Sequence, residues 1–125
     1  MRFLSVMLVC CLILAGCGDS SPSSNANEHA GHKPTMDVKL DVVGDQVTVT
    51  VTTDMTISPE HYGMARNAGE GHIHMYLDND PKVAVKEDHM VFKDLPIGKH
   101  TLKVSLHNND HTPYDVTQTF DFEIV

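Results

Sequence analysis

The sequence predicts an all-β fold, an immunoglobulin-like β-sandwich of about seven short strands over residues 36–125, behind a signal peptide and a flexible tether. Three observations predict it. Apolar and polar residues alternate with a period of two in about seven segments, turn-forming residues separate those segments, and no segment carries a convincing helical period. Strands at such spacing, each with one polar face, suit two packed antiparallel sheets.

The chain opens with Arg2, an apolar run from Phe3 to Leu14 and the small residues Ala15 and Gly16. This is the pattern of a secretory signal, and a run of about fifteen residues falls short of the roughly twenty that a bilayer core requires. Leu14-Ala15-Gly16-Cys17 resembles the cleavage box of bacterial lipoproteins, in which the cysteine becomes the diacylated first residue of the mature protein. Residues 1–16 are therefore expected to be removed and Cys17 to carry the anchor. Two acyl chains hold a protein at a membrane surface without spanning it. Cys10 and Cys11 leave with the signal, so the mature chain has no free thiol, no disulfide and no thiolate metal site.

Residues 17–35 form the tether, since Gly18 to Asn27 are mostly Ser, Gly, Asn and Pro with nothing to bury. Glu28-His29-Ala30-Gly31-His32 at its end reads as polar linker or as a loose auxiliary metal arm. The full chain has a formal charge of −8, and losing Arg2 with the signal makes it −9, a balance that argues against a nucleic-acid partner.

From Met36 onward one domain remains. Val38, Leu40 and Val42 alternate before Gly44-Asp45, and Val47, Val49 and Val51 alternate after it, which makes a hairpin. The same period returns at Ile73, Met75 and Leu77, at Val83 and Val85, at Met90 and Phe92, at Leu102, Val104 and Leu106, and at Phe120, Phe122 and Ile124. Residues 54–70 break the pattern. Ser58-Pro59-Glu60 can start a helical turn there before Gly63, and so long a connection suggests a functional loop.

All nine histidines lie beyond residue 28. His72 and His74 are two apart on a strand, so their imidazoles share a face about 6.6–6.8 Å apart along the chain. They form a candidate metal clamp opposite the core side taken by Ile73, Met75 and Leu77, or else an ordinary solvated pair. His111 projects from a turn-rich loop, where binding groups tend to be found. His100 has core parity at the start of its strand, which suits a third or fourth ligand or a buried histidine bonded to a turn carbonyl. His107 has the opposite parity, and nothing in the sequence fixes the direction of His61 or His89.

Gly71-His72-x-His74-x-x-x-Asp78, Leu95-Pro96-x-Gly98-x-His100-Thr101-Leu102 and Leu106-x-Asn108-Asn109-Asp110-His111-x-Pro113 together resemble a group of small secreted or lipid-anchored bacterial domains. The resemblance covers residues 71–125. It implies an immunoglobulin-like or cupredoxin-like sandwich and, by analogy with periplasmic copper-resistance proteins, a role in copper or zinc handling at His72, His74, His100 and His111. A second resemblance, to copper-zinc superoxide dismutase, rests on the strand His-x-His alone.

Imidazoles without thiolates suit Cu²⁺ or Zn²⁺. Met75 and Met90 share the parity of core residues and read as filler rather than thioether ligands. Three function classes follow: a lipid-anchored binding protein that exchanges copper or zinc with a metal donor or acceptor protein, an interaction module with structural or pH-sensing histidines, and a copper-dependent redox enzyme. No serine elbow or phosphate loop supports another enzyme class, and binding without catalysis leads.

Overall fold

The computed structural model describes residues 32–125. The signal peptide expected over 1–16, the lipid site at Cys17 and the tether as far as residue 31 lie outside the described residues. At the end of the expected tether Pro34 is buried and the Thr35 amide donates to Asp54 Oδ1 at 2.7 Å, so the domain takes in residues just ahead of Met36.

Eight strands form where about seven were expected: β1 (Met36–Val43), β2 (Gln46–Thr53), β3 (Thr56–Ile57), β4 (Glu70–Leu77), β5 (Val83–Val85), β6 (His89–Phe92), β7 (Gly98–His107) and β8 (Pro113–Ile124). The extra one, β3, is two residues long and parallel to β4 through Thr56↔Glu70 and Ile57↔Gly71, too short to show any period. β8 also starts seven residues before Phe120, with Tyr114, Val116 and Gln118 half-buried in the same alternation. The sheets have the orders β1-β2-β6 and β3-β4-β7-β8, with β5 paired to β4. No helix among the described residues is long and apolar enough to cross a membrane.

The core lies between the sheets. Val47, Val49 and Val51 from β2 meet Ile73 and Met75 from β4 and Leu102, Val104 and Leu106 from β7, all buried. Each such side chain contributes roughly 1.5–3 kcal/mol relative to exposure. Most strands bury only one face, as the period predicts, but β4 is buried on both from Gly71 to Met75. Its second face is roofed by the 54–70 connection, whose 3-10 turn (Pro59–His61) is followed by Gly63, where the amide donates to the Asn109 carbonyl at 2.8 Å. At the entry to β4, a β-carbon on Gly71 would stand 1.9 Å from the His107 carbonyl oxygen, so only glycine lets β4 and β7 approach there.

His100 pins the far end of this sheet. It is 6% exposed, its Nδ1 donates to Asp78 Oδ2 at 2.8 Å and its Nε2 to the Pro96 carbonyl at 2.8 Å, while the ring stacks on Phe122. A carbonyl and a carboxylate only accept, so both nitrogens carry hydrogen and the ring is an imidazolium. The Pro96 carbonyl and then the Asp78 carboxylate raise the His100 pKa above its ordinary value. A raised folded pKa stabilises fully below the unfolded pKa of about 6.5 and loses that contribution as pH climbs through the folded value. His100→Gln should therefore cost most stability near pH 6, and the gap from the parent in denaturant unfolding should narrow toward about pH 9. A gap that stays constant across that range would contradict an imidazolium staple.

Candidate metal centre

Strand β4 sends His72 and His74 to its roofed face, opposite Ile73 and Met75. That is the face expected from parity, but it is not a solvated one: the two residues are 1% and 2% exposed. The Tyr62 ring packs against His72 and His111, with its centroid 4.6 Å from that of His72 and 4.7 Å from that of His111. His111 arrives from the turn between β7 and β8. Its amide donates to the Asn108 carbonyl at 2.9 Å, the Asn108 amide donates to the Thr112 carbonyl at 2.8 Å, and Arg66 braces Thr112 Oγ1 at 2.7 Å. This turn holds His111 at φ 69, a backbone region that non-glycine residues seldom occupy and that tends to mark functional positions.

Three ring nitrogens converge as a result. His72 Nε2 lies 2.8 Å from His74 Nε2 and 3.2 Å from His111 Nδ1, and the ligand atoms of the three residues all fall within 4.8 Å of one another. Burial, reinforced by the positive charge of neighbouring histidines and lysines, pushes the His72 pKa down to about 4 and that of His74 to about 3. Both rings are neutral at neutral pH, the form in which imidazole ligates metals.

Two facing neutral nitrogens share one proton, and the books do not balance elsewhere. Nδ1 of His72 and Nδ1 of His74 are buried without a hydrogen-bond partner. An unmet buried polar group costs roughly 1–3 kcal/mol. The empty-handed pair therefore weakens the fold, and a cation between the Nε2 atoms would replace a single shared proton with two coordinate bonds.

His107, absent from the sequence-based ligand set, belongs to the same cluster. It pairs with His72 in the β4–β7 register and stacks on His74 with centroids 3.7 Å apart. Its Nδ1–H donates to the His111 carbonyl at 3.0 Å, which leaves Nε2 to accept from the Ser105 hydroxyl at 2.9 Å. Both nitrogens are engaged, so His107 supports the ligands: it backs one ring and holds the backbone of another. Burial lowers its pKa as well. Its parity, opposite to that of Leu106, was the available signal; the register that sets it across from His72 was not.

His100 does not join the cluster. It sits seven residues from His107 along β7, roughly 23 Å at about 3.3 Å per residue, with both nitrogens committed to Asp78 and Pro96. The inclusion of His100 among the ligands is corrected accordingly, in favour of the buried histidine bonded to a turn carbonyl. Its behaviour is part of a division among the described histidines. His32 meets Asp54, His61 meets Glu70, His89 meets Asp88 and His100 meets Asp78, whereas His72, His74, His107 and His111 gather with no carboxylate among them. His61 still serves the site, because its Nδ1 bonds Glu70 Oε2 at 2.7 Å and ties the roof to the start of β4. Met75 is fully buried core and Met90 packs against it, as their parity implied.

No family model matches the chain, and no curated protein does. Among solved structures it is similar to the PKD1 domain of Vibrio anguillarum Epp, at 11% identity over 75% of this chain and 95% of that one, with a TM-score of 0.50. The PKD1 domain from the Vibrio cholerae metalloprotease PrtV is 12% identical over 73% and 95%, with a TM-score of 0.49. The fold is an immunoglobulin-like β-sandwich. At these identities the likeness is one of fold alone, and the histidine cluster is described from this chain's own geometry.

Leucine nearly matches histidine in volume and brings no unmet nitrogen, so the metal-free double variant His72→Leu/His74→Leu should melt at or above the parent's temperature near neutral pH. Folded pKa values near 4 and 3, below the unfolded 6.5, mean that the unfolded chain binds more protons between those limits, so the parent loses stability as pH falls through that window. The variant's advantage should therefore widen by roughly 4 kcal/mol between about pH 7 and pH 5. A variant several kcal/mol less stable, with no pH-dependent gain, would show that the two rings serve packing.

Proposed function

We propose that this is a lipid-anchored, extracytoplasmic protein that binds a divalent transition metal, copper or zinc, through His72, His74 and His111. The observation that carries the proposal is the convergence of three ring nitrogens within 4.8 Å, two of them on buried neutral rings. A tetrahedral ion with bonds of about 2.0–2.1 Å sets its donors about 3.3 Å apart. The 3.2 Å pair already meets that spacing, and the 2.8 Å pair needs to part by a few tenths of an ångström. With imidazole donors and no thiolate, Cu²⁺ binds ahead of Zn²⁺ when both are present.

The anchor at Cys17 and the tether that follows it support a protein that works from a membrane surface, capturing or buffering the ion and exchanging it with a donor or acceptor protein. His111, at the exposed edge of an otherwise buried site, is the ligand through which an ion enters and leaves. Binding and exchange, without catalysis, account for every residue of the cluster.

Calorimetric titration of Zn²⁺ or Cu²⁺ into the soluble chain after Cys17 should give a saturable one-to-one transition near neutral pH. His72→Ala/His74→Ala should abolish it. His111→Asn, which suits the positive φ, should weaken it by more than the roughly 10- to 100-fold typical of losing an outer-sphere partner. His100→Gln should leave it unchanged. Absence of any saturable binding would overturn the metal proposal and leave a β-sandwich interaction module with structural histidines.

A further inference from the structure

The cluster supplies three donors and no counter-charge. The carboxylates that approach it are already committed: Glu70 Oε2 bonds His61 and accepts from Asn109 Nδ2 at 3.1 Å, and Asp110 is held by Thr112 and Arg66. His107, the remaining imidazole, has both nitrogens engaged. A divalent ion bound by three neutral rings therefore keeps its full charge and lacks a fourth protein ligand. Sites of this kind keep a position open to an outside molecule, whereas sites that serve folding alone are closed by four protein ligands.

One cation stands beside that position without a carboxylate between. Lys86 Nζ lies 4.0 Å above the Tyr62 ring, the same ring that packs on both His72 and His111. A lysine beside a cation site opposes the metal and is hard to explain by metal capture alone. It makes sense if something negative completes the site.

Resting on the metal-binding reading above, we infer that the ion held by His72, His74 and His111 keeps an open coordination position on the exposed His111 side, and that this position takes a small monoanion favoured by Lys86. The anion replaces a water on the metal and lowers the charge that three neutral rings leave uncancelled. Tyr62 limits the space, so the ligand is a compact one.

Cobalt(II) separates this inference from the reading beneath it. Adding Co²⁺ to the soluble chain should produce visible d–d absorption that the His72→Ala/His74→Ala variant lacks; without that absorption both the metal site and the open position fail. Azide added to the cobalt-loaded protein should then shift the bands saturably. Lys86→Gln should bind cobalt at least as tightly as the parent and azide more weakly, on the order of two- to threefold for the one charge removed. Cobalt bands that azide leaves unchanged would show a closed site and overturn the inference while metal binding stands. Unchanged azide affinity in the Lys86→Gln variant would overturn the role of that lysine.

Discussion

Two neutral imidazoles buried side by side, with one proton for two facing nitrogens, are the constraint on which the rest of this structure turns. His72 and His74 can be dry only because β4 is covered on both faces, and β4 is covered on its second face only because residues 54–70 fold back over it. The cover is held by backbone and side-chain bonds that converge there: Gly63 on Asn109, His61 on Glu70, and the Tyr114 hydroxyl donating to the Glu70 carbonyl at 2.6 Å. Gly71 supplies the other condition, since any side chain there would drive β4 away from His107. The roof, the glycine and the turn at His111 all maintain a polar pair that the fold itself would be better without. Such a local conflict with stability is characteristic of a functional site.

The distribution of acids gives the site its chemical character. Where a histidine is paired with a carboxylate, as His100 is with Asp78, the ring is held toward its charged form. At the cluster there is none, and burial holds His72 and His74 in the neutral form. The same residue type is thus steered to opposite protonation states by its neighbours, and only the neutral set has lone pairs to offer.

Much of the fold was legible because period-two alternation is a direct consequence of strand geometry. Val47, Val49, Val51, Ile73, Met75, Leu77, Leu102, Val104 and Leu106 are all buried as their parity requires. His72 and His74 were legible as a pair, and His111 as the third member, because a doublet on a strand and a histidine in a tight turn are local signals. The roof was not. β3 is two residues long, and the packing of Tyr62 on His72 joins segments ten residues apart through tertiary contact alone. His107 was missed and His100 wrongly included for a related reason: both lie on β7, and only its antiparallel register with β4, His72↔His107 and Leu77↔Leu102, decides which end of the strand faces the doublet.

The central claim concerns particular nitrogen atoms, so ¹⁵N-resolved imidazole spectra of the soluble chain during Zn²⁺ titration test it most directly. Zinc should move the Nε2 resonances of His72 and His74 and the Nδ1 resonance of His111 into the metal-bound range, while His100 keeps both of its nitrogens protonated. Zinc bound through His100 or the acid-paired histidines, with His72 and His74 unaffected, would contradict the account.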